Sequence, residues 1–108
     1  MTHPISSHIT LTPDAAVDLH MHTLYACADQ QLIDFLVAEG FQLVAVTDHD
    51  RVDKITEIQA LAAAKHLPVL AGVEMSTDWN GKMGHMLCYG FDPQQNELRP
   101  LTEKVVRL

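Results

Sequence analysis

Short apolar runs alternate with helical patterns along this chain, and this alternation restricts the fold more than any other feature. Runs typical of buried strands cover Ala15–Leu19, Phe41–Val46 and Val69–Val73. Between them, apolar side chains recur at helical spacing in Gln31–Glu39 and in Asp53–His66. Consecutive strand–helix–strand units make neighbouring strands parallel, with right-handed crossovers. The sequence therefore predicts an α/β protein.

The ends of the predicted elements have signals of their own. Gly40 is expected to end the first helix, and Asp53 is expected to be the N-cap of the second. A polar turn over Asp78–Lys82 then precedes a fourth strand from about His85 to Tyr89. These boundaries leave the polar residues at or next to the strand ends.

The size and charge of the chain limit its architecture and its ligands. With 108 residues, 47% of them hydrophobic, it can form one domain with one core. We predict a flexible arm over residues 1–14, the α/β domain over 15–93, and a tail over 94–108 that begins a helix. The formal net charge is −7 and no basic run is present, which excludes binding to nucleic acid through bulk positive charge.

Cysteine usage and hydropathy indicate the compartment. Cys27 and Cys88 form neither a C-x-x-C motif nor the pattern of a small secreted protein, so both are expected to be reduced thiols. No signal peptide precedes the first strand, and no run approaches the roughly 18 apolar residues of a membrane span. We therefore expect a cytoplasmic protein without a membrane partner.

Ionisable side chains cluster at the ends of the three predicted strands. His20 and His22 follow the first strand, Asp48 and His49 the second, and Glu74 the third. The carboxyl ends of parallel strands meet at one edge, about 4.8 Å apart, so these groups are expected to converge. Two histidines two residues apart on an extended backbone point to one face. Imidazole and carboxylate together suit zinc, manganese or iron better than calcium.

Neighbouring residues give less specific signals. Asp18 is expected either to orient an imidazole or to ligate a cation itself, and His85 to supply a further imidazole from the fourth strand. Glu74 has two oxygens with which it could bridge two cations. Arg51 is a candidate contact for a substrate phosphate, with a solvated side chain as the ordinary alternative. Each group alone has a structural explanation as surface or cap, so the metal-site hypothesis depends on their convergence.

Three motifs in this order carry a family resemblance. Asp18–Thr23, Thr47–Asp50 and Gly72–Ser76, followed by His85, resemble the successive motifs of the PHP (polymerase and histidinol phosphatase) family. The resemblance covers the chain from about Val17 to Pro93. Within the family, the sequence most resembles the branch that hydrolyses 3′,5′-nucleoside bisphosphates and trims short RNA.

The resemblance implies a distorted β/α barrel that binds two or three divalent metal ions and hydrolyses phosphate esters of nucleotides or short oligonucleotides. The implied ions are zinc, manganese or iron, with magnesium as a further option. His20 and His22 would hold one ion, Glu74 would bridge it to a second, and His85 would ligate the second. His49 would belong to a third site. The implied catalytic residues are His20, His22, Asp48, His49 and Glu74.

The chain departs from the family pattern in two places. After the first motif, relatives carry a Ser-Asp-Gly-like turn with an acidic ligand of the third site, whereas this chain has Tyr25–Asp29. Asp29 is the candidate to replace that ligand, and Asp48 would lie beside the same site. A complete barrel needs roughly 200 to 250 residues, so we expect only its N-terminal part, incomplete and with an open sheet edge. A homo-oligomer could cover that edge.

Two functions from other classes stay open. A non-catalytic metal-binding or interaction module would bind metal without phosphatase activity. An amidohydrolase on a similar barrel would cleave carbon–nitrogen bonds. That enzyme class would be expected to have a carboxylated bridging lysine on a strand, and none of the predicted strands contains a lysine.

Overall fold

A computed structural model describes residues 10–23 and 28–96 of the chain. In chain order the elements are β1 (Ala16–Met21), α1 (Asp29–Ala38), β2 (Phe41–Val46), α2 (Ile55–Ala63), β3 (Gly72–Trp79) and β4 (Lys82–Tyr89). β1 pairs with β2 in parallel, and β3 pairs with β4 as an antiparallel hairpin. The predicted α/β class is confirmed by this arrangement.

Helix α1 begins and ends with local hydrogen bonds that its sequence supplies. The Gln31 side chain accepts a hydrogen bond from the Ala28 N–H at 2.8 Å and so satisfies a backbone donor at the helix start. At the other end, Gly40 has φ 82°, a left-handed conformation that glycine adopts without strain. Its N–H donates to the Val37 carbonyl oxygen at 3.0 Å. The predicted stop at Gly40 is confirmed.

Helix α2 begins one residue later than the sequence predicts. Lys54 is the N-cap residue and makes no side-chain cap hydrogen bond, so the assignment of Asp53 as N-cap is wrong. The physical reason is a competing partner: both Asp53 carboxylate oxygens accept hydrogen bonds from Arg51, at 2.8 and 3.1 Å. At the other end, α2 ends at Ala63, three residues before the predicted limit at His66, which has φ 61°.

Two apolar clusters form the core. The larger one packs the inward faces of both helices against β2 and the segment before β3, because helical spacing collects their apolar side chains on one stripe. The smaller one lies between the start of α2 and β3. Their buried members are Leu32, Ile33, Leu36, Val44, Val46, Ile58, Ala62, Leu67 and Val69 in the first cluster, and Val52, Ile55, Ala71 and Val73 in the second.

The hairpin of β3 and β4 is longer than the sequence predicts. The turn contains only Asn80 and Gly81, with φ 53° and 77°, as in a two-residue type I′ turn. The predicted turn over Asp78–Lys82 is therefore too wide, and Glu74 lies inside a strand instead of at its end. Val69, the predicted strand start, makes only an isolated bridge with Val44. Cross-strand hydrogen bonds extend the hairpin through polar residues, which give no apolar run to detect.

Backbone hydrogen bonds attach the segment before β3 to β2, and β3 itself to the residues after β2. The Leu70 N–H donates to the Val44 carbonyl at 2.8 Å, and the Glu74 N–H donates to the Asp48 carbonyl at 3.1 Å. The Asp50 N–H donates to the Glu74 carbonyl at 3.0 Å. This parallel register places Glu74 directly beside the residues that follow β2.

The remaining predictions about the chain are tested only where the structure describes it. The predicted tail helix and Cys27 lie outside the described residues, whereas Cys88 is a half-buried free thiol. Within the predicted arm, the Gln42 side chain donates to the Thr12 hydroxyl at 3.0 Å. No helix in residues 10–23 and 28–96 is long and apolar enough to cross a membrane.

Candidate metal centre

Glu74 is a buried carboxylate at the centre of the candidate site. Its side chain is 7% exposed, and it is the third residue of β3, opposite Leu87 on β4 and bridged to His49. A carboxylate in such a position is costly to desolvate unless it is paired. Here its two oxygens face four imidazole rings.

The first oxygen of Glu74 faces the two histidines of the H-x-H motif. Oε1 lies 2.6 Å from His20 Nε2 and 3.0 Å from His22 Nε2. His20 is in β1 and His22 follows it, so the alternation of an extended backbone turns both rings to one side. The predicted convergence of this pair on one point is confirmed.

The second oxygen of Glu74 faces the other two histidines. Oε2 lies 3.1 Å from His85 Nδ1 and 3.6 Å from His49 Nδ1. The latter distance is too long for a hydrogen bond. His85 reaches the site from β4, where it pairs with Ser76, and His49 reaches it from the segment after β2. The structure thus groups His49 with Glu74 and His85.

The four imidazole rings form an arc over the carboxylate. Successive ring centroids, in the order His20, His22, His49, His85, are 5.5, 4.5 and 5.0 Å apart. The exposed fractions of these side chains range from 39% to 53%. A buried anion therefore lies beneath half-exposed nitrogen donors, an arrangement open to solvent on one side.

The imidazoles also set the electrostatics of Glu74. Burial raises the pKa of its carboxyl group, but hydrogen bonds from His20 and His22 and the charges of His49 and His20 outweigh this effect, and the pKa is lowered overall. Glu74 is therefore held as a carboxylate, the form that binds a cation.

The nitrogen and oxygen atoms form two groups of the size a metal ion requires. One group is His20, His22 and Glu74, and the other is His49, Glu74 and His85. Within each group the candidate ligand atoms lie within 4.8 Å of one another. Imidazole nitrogen with carboxylate oxygen is a donor set that suits zinc, manganese or iron. The residues fit a pair of divalent cations that share Glu74.

Asp48, predicted as a ligand or catalytic residue, has a different partner in the structure. Its Oδ1 accepts a hydrogen bond from the Thr23 N–H at 2.7 Å, and both of its oxygens lie about 3 Å from the Thr23 hydroxyl. Thr23 directly follows His22, so this contact fixes the backbone on the far side of that ligand. A role as metal ligand remains a prediction for Asp48.

We expect Asp48→Asn to weaken metal binding by the His20, His22 and Glu74 group. An amide has one acceptor oxygen instead of two, so one of the Thr23 hydrogen bonds is lost. Loss of a partner that orients a ligand typically costs about 10- to 100-fold in metal affinity. Metal titration by calorimetry measures the change, with Asp34→Asn on exposed α1 as the matched control. An unchanged affinity would contradict this role of Asp48.

Three other predicted site residues lie outside both ligand groups. Asp18 Oδ1 accepts a hydrogen bond from the His20 N–H at 3.0 Å, so its contact is with the backbone. Asp29 forms an ion pair with Lys54 at 3.0 Å. Arg51 pairs with Asp53 on the surface, at 2.8 Å. Their roles toward metal or phosphate stay predictions.

Sequence reasoning did not single out a second buried carboxylate next to the site. Asp50 is 9% exposed and has φ 51°. Its oxygens accept hydrogen bonds from the Ser76 N–H at 2.7 Å and from the Ser76 hydroxyl at 2.5 Å. It therefore clamps β3 two residues after Glu74. The sequence signal that could have identified Asp50 was its position in the Thr47–Asp50 motif.

Tyr89 also contacts the site backbone without having been predicted. Its hydroxyl donates a hydrogen bond to the Leu19 carbonyl oxygen at 2.5 Å. Burial, followed by the charges of Asp18 and Glu74, raises the pKa of Tyr89 and keeps it a donor. No sequence pattern indicates this contact, because it depends on the register of β3 and β4.

Curated proteins of known sequence include two relatives of this chain. A 3′,5′-nucleoside bisphosphate phosphatase from Chromobacterium violaceum is 36% identical over 87 residues, which are 78% of this chain and 30% of the relative. A 5′-3′ exoribonuclease from Haemophilus influenzae is 28% identical over 89 residues, 80% of this chain and 32% of the relative. The chain thus spans about a third of the length of these relatives. No family model matches it.

Solved structures share the fold. An amidohydrolase from Chromobacterium violaceum, solved with bound sulfate and without metal, has a TM-score of 0.75 and 33% identity over 86% of this chain and 34% of its own. A protein from Bifidobacterium adolescentis, assigned as a metal-dependent phosphoesterase, has a TM-score of 0.73 over 85% of this chain and 33% of its own. At 24% identity, the second likeness is one of fold alone.

Proposed function

The two curated relatives fit an N-terminal region of the PHP family, and on this premise we propose that the chain supplies a two-ion metal centre for the hydrolysis of phosphate esters. The observation that carries the proposal is the position of Glu74. One of its oxygens faces His20 and His22, and the other faces His49 and His85. A carboxylate with two imidazoles at each oxygen is suited to bridging two cations.

In this proposal, zinc, manganese or iron is the expected metal, with magnesium less suited to a nitrogen-rich donor set. When bound, such ions polarise phosphoryl oxygens and lower the pKa of a coordinated water. His20, His22, His49, Glu74 and His85 would hold them. A third ion, with His49, Asp48 and Asp29, remains part of the family expectation.

The other residues near the centre would bind substrate or keep the ligands in place. Asp48 and Asp50 hold the backbone beside His22 and Glu74 through Thr23 and Ser76. The half-exposed imidazoles leave one side of the centre open for a phosphate group. With a net charge of −7, the chain would attract an anionic substrate through bound cations, since no basic surface run is available. Arg51 would contact a phosphate group of the substrate at the edge of the metal centre.

We propose nucleotides or short oligonucleotides as the substrates. The two curated relatives are named for a nucleoside bisphosphate and for RNA. Without basic runs, the chain lacks the surface that holds a long nucleic-acid backbone. A small or short phosphate ester, bound mainly through its terminal phosphate, fits both facts.

An amidohydrolase is the second candidate, because one structural neighbour has that name. Contrary to the sequence prediction, a strand does contain a lysine, since β4 begins at Lys82. Lys82 is exposed, however, and pairs with Trp79 at the hairpin turn, whereas Glu74 pairs with Leu87 near the other end. This supports Glu74, rather than a lysine, as the bridging residue and favours the phosphoesterase proposal.

Metal content and hydrolysis, measured together on the 108-residue chain, test the proposal. Protein purified without chelator is analysed for metal, then assayed under added manganese or zinc with a 3′,5′-nucleoside bisphosphate, a short RNA and a small amide. We expect about two ions per chain and hydrolysis of the phosphate esters. Hydrolysis and one of the two ions should be lost in His20→Asn, and hydrolysis and both ions should be kept in His66→Asn, which alters an exposed histidine outside the site.

Each other outcome points to a different function. Bound metal with amide cleavage alone would support the amidohydrolase. Bound metal without any turnover would support a non-catalytic module, and a mass measurement in solution would then show whether an oligomer had formed. Absence of metal from the unaltered chain, or hydrolysis that survives in His20→Asn, would contradict the proposed centre.

A further inference from the structure

The Tyr89 side chain links β4 to β1, which do not pair with each other in the described part of the chain. Its hydroxyl donates to the carbonyl oxygen of Leu19, 70 residues earlier in the sequence. Leu19 is joined by its peptide bond to His20, so the contact holds the backbone that carries a candidate ligand. Building on the proposed metal centre, we propose that Tyr89 is a positioning residue that holds His20 within reach of Glu74.

Gly72 provides the space for this link. It lies directly opposite Tyr89 in the hairpin. A Cβ at Gly72 would lie 2.8 Å from the Thr47 methyl carbon, closer than real Cβ contacts, and 3.2 Å from the Tyr89 ring, which is tighter than most Cβ contacts. Because glycine has no side chain there, the phenol ring packs against β3 while its hydroxyl reaches β1. The glycine and the tyrosine therefore act as a pair.

The link acts on one half of the candidate centre. His20 and His22 are carried by β1 and the residue after it, the part of the chain that Tyr89 holds. Glu74 is held independently, by backbone hydrogen bonds with Asp48 and Asp50. His85 is held by the ladder of the hairpin. Loss of the Tyr89 hydroxyl should therefore affect only the first ligand group.

Tyr89→Phe in two backgrounds tests this asymmetry. His85→Asn leaves the His20, His22 and Glu74 group complete, whereas His20→Asn leaves the group of His49, Glu74 and His85. Manganese affinity is measured by titration with and without Tyr89→Phe, as a double-mutant cycle. We expect the affinity to fall about tenfold in the first background and to stay unchanged in the second. Equal losses in both backgrounds, or no loss in the first, would overturn the proposal.

A control separates positioning from general stability. Gln59 on α2 donates a side-chain hydrogen bond to the Val69 carbonyl at 2.9 Å, so Gln59→Leu also removes one bond to a backbone carbonyl. We expect Gln59→Leu to lower the thermal unfolding temperature without changing manganese affinity in either background. If it weakens the first group as Tyr89→Phe does, the effect is one of stability and the positioning role is contradicted.

A metal-free measurement distinguishes failure of this inference from failure of the proposed function. If the unaltered chain binds no manganese, the proposed centre is wrong, but the link still predicts a change in the free protein. In Tyr89→Phe, the imidazole NMR resonances of His20 should shift, because its contact with Glu74 loosens, while those of His85 should not. Unshifted His20 resonances would overturn the positioning role independently of metal.

Discussion

Replacing Glu74 with glutamine is expected to abolish binding of both metal ions at once. Each oxygen of Glu74 faces a different pair of imidazoles, so one substitution removes a ligand from both groups. Glutamine has nearly the same shape but only one acceptor oxygen and no charge. The loss in metal affinity should be larger than the loss of about 10- to 100-fold that is typical when a residue that only orients a ligand is replaced. Elemental analysis and calorimetric titration measure it.

The matched control for this substitution is Glu57→Gln. Glu57 is exposed in the first turn of α2, so the same loss of charge occurs away from the imidazoles. It should leave metal content and hydrolysis unchanged. Retention of one tightly bound ion in Glu74→Gln would show that the two groups do not share this carboxylate, and retention of two would sink the metal-centre model.

Asp50→Ala is expected to give the largest loss of stability among the substitutions around the site. The change leaves the Ser76 N–H and hydroxyl without their acceptor, and hydrogen bonds to charged groups contribute about 1.5 to 3 kcal/mol. Alanine is also strained at φ 51°, by about 1 kcal/mol or more. We expect the free energy of unfolding to fall by about 3 kcal/mol, measured by urea denaturation.

Asp50→Asn separates the loss of the hydrogen bonds to Ser76 from the backbone strain at φ 51°. Asparagine tolerates the left-handed conformation and keeps one acceptor oxygen, so its loss should be less than half that of alanine. Asp34→Ala, on the exposed face of α1, serves as the control for loss of an aspartate. Equal losses for Asp50→Ala and Asp50→Asn would exclude backbone strain as a contributor. A loss below about 1 kcal/mol in Asp50→Ala would contradict the clamp on β3.

The convergence of the candidate ligand residues could be predicted from the sequence because it follows from sheet geometry. The apolar run Phe41–Val46 predicted β2 at its observed limits, and the parallel order of strands brought His20, His22 and His49 to one edge. The spacing of the two histidines alone predicted that both would point to one face and could reach one cation. Residue spacing and strand order are properties of the sequence pattern, so they can be inferred without knowledge of the side-chain contacts.

The contacts that hold the ligands in place could not be predicted in the same way. The bonds from Asp48 to Thr23 and from Tyr89 to Leu19 depend on how separate segments pack. The hairpin end was missed for a related reason, since Ser76, Thr77 and Asp78 are polar and the sequence there has no apolar run. Asp53 matched the composition of an N-cap, but a neighbouring guanidinium competed for its carboxylate. The local propensity of a residue for a helix cap does not decide its role when a stronger hydrogen-bond partner is within reach.

The four histidines and Glu74 lie on four separate segments of the backbone, from His20 and His22 at β1 to His85 in β4. None of these segments can form either ligand group alone, so an unfolded chain has no site to offer. A ligand that binds only the folded state stabilises it by mass action, by about 2.7 kcal/mol at a free concentration one hundred times the dissociation constant. The supply of metal would then determine the folded fraction of this small chain as well as the fraction that has metal bound.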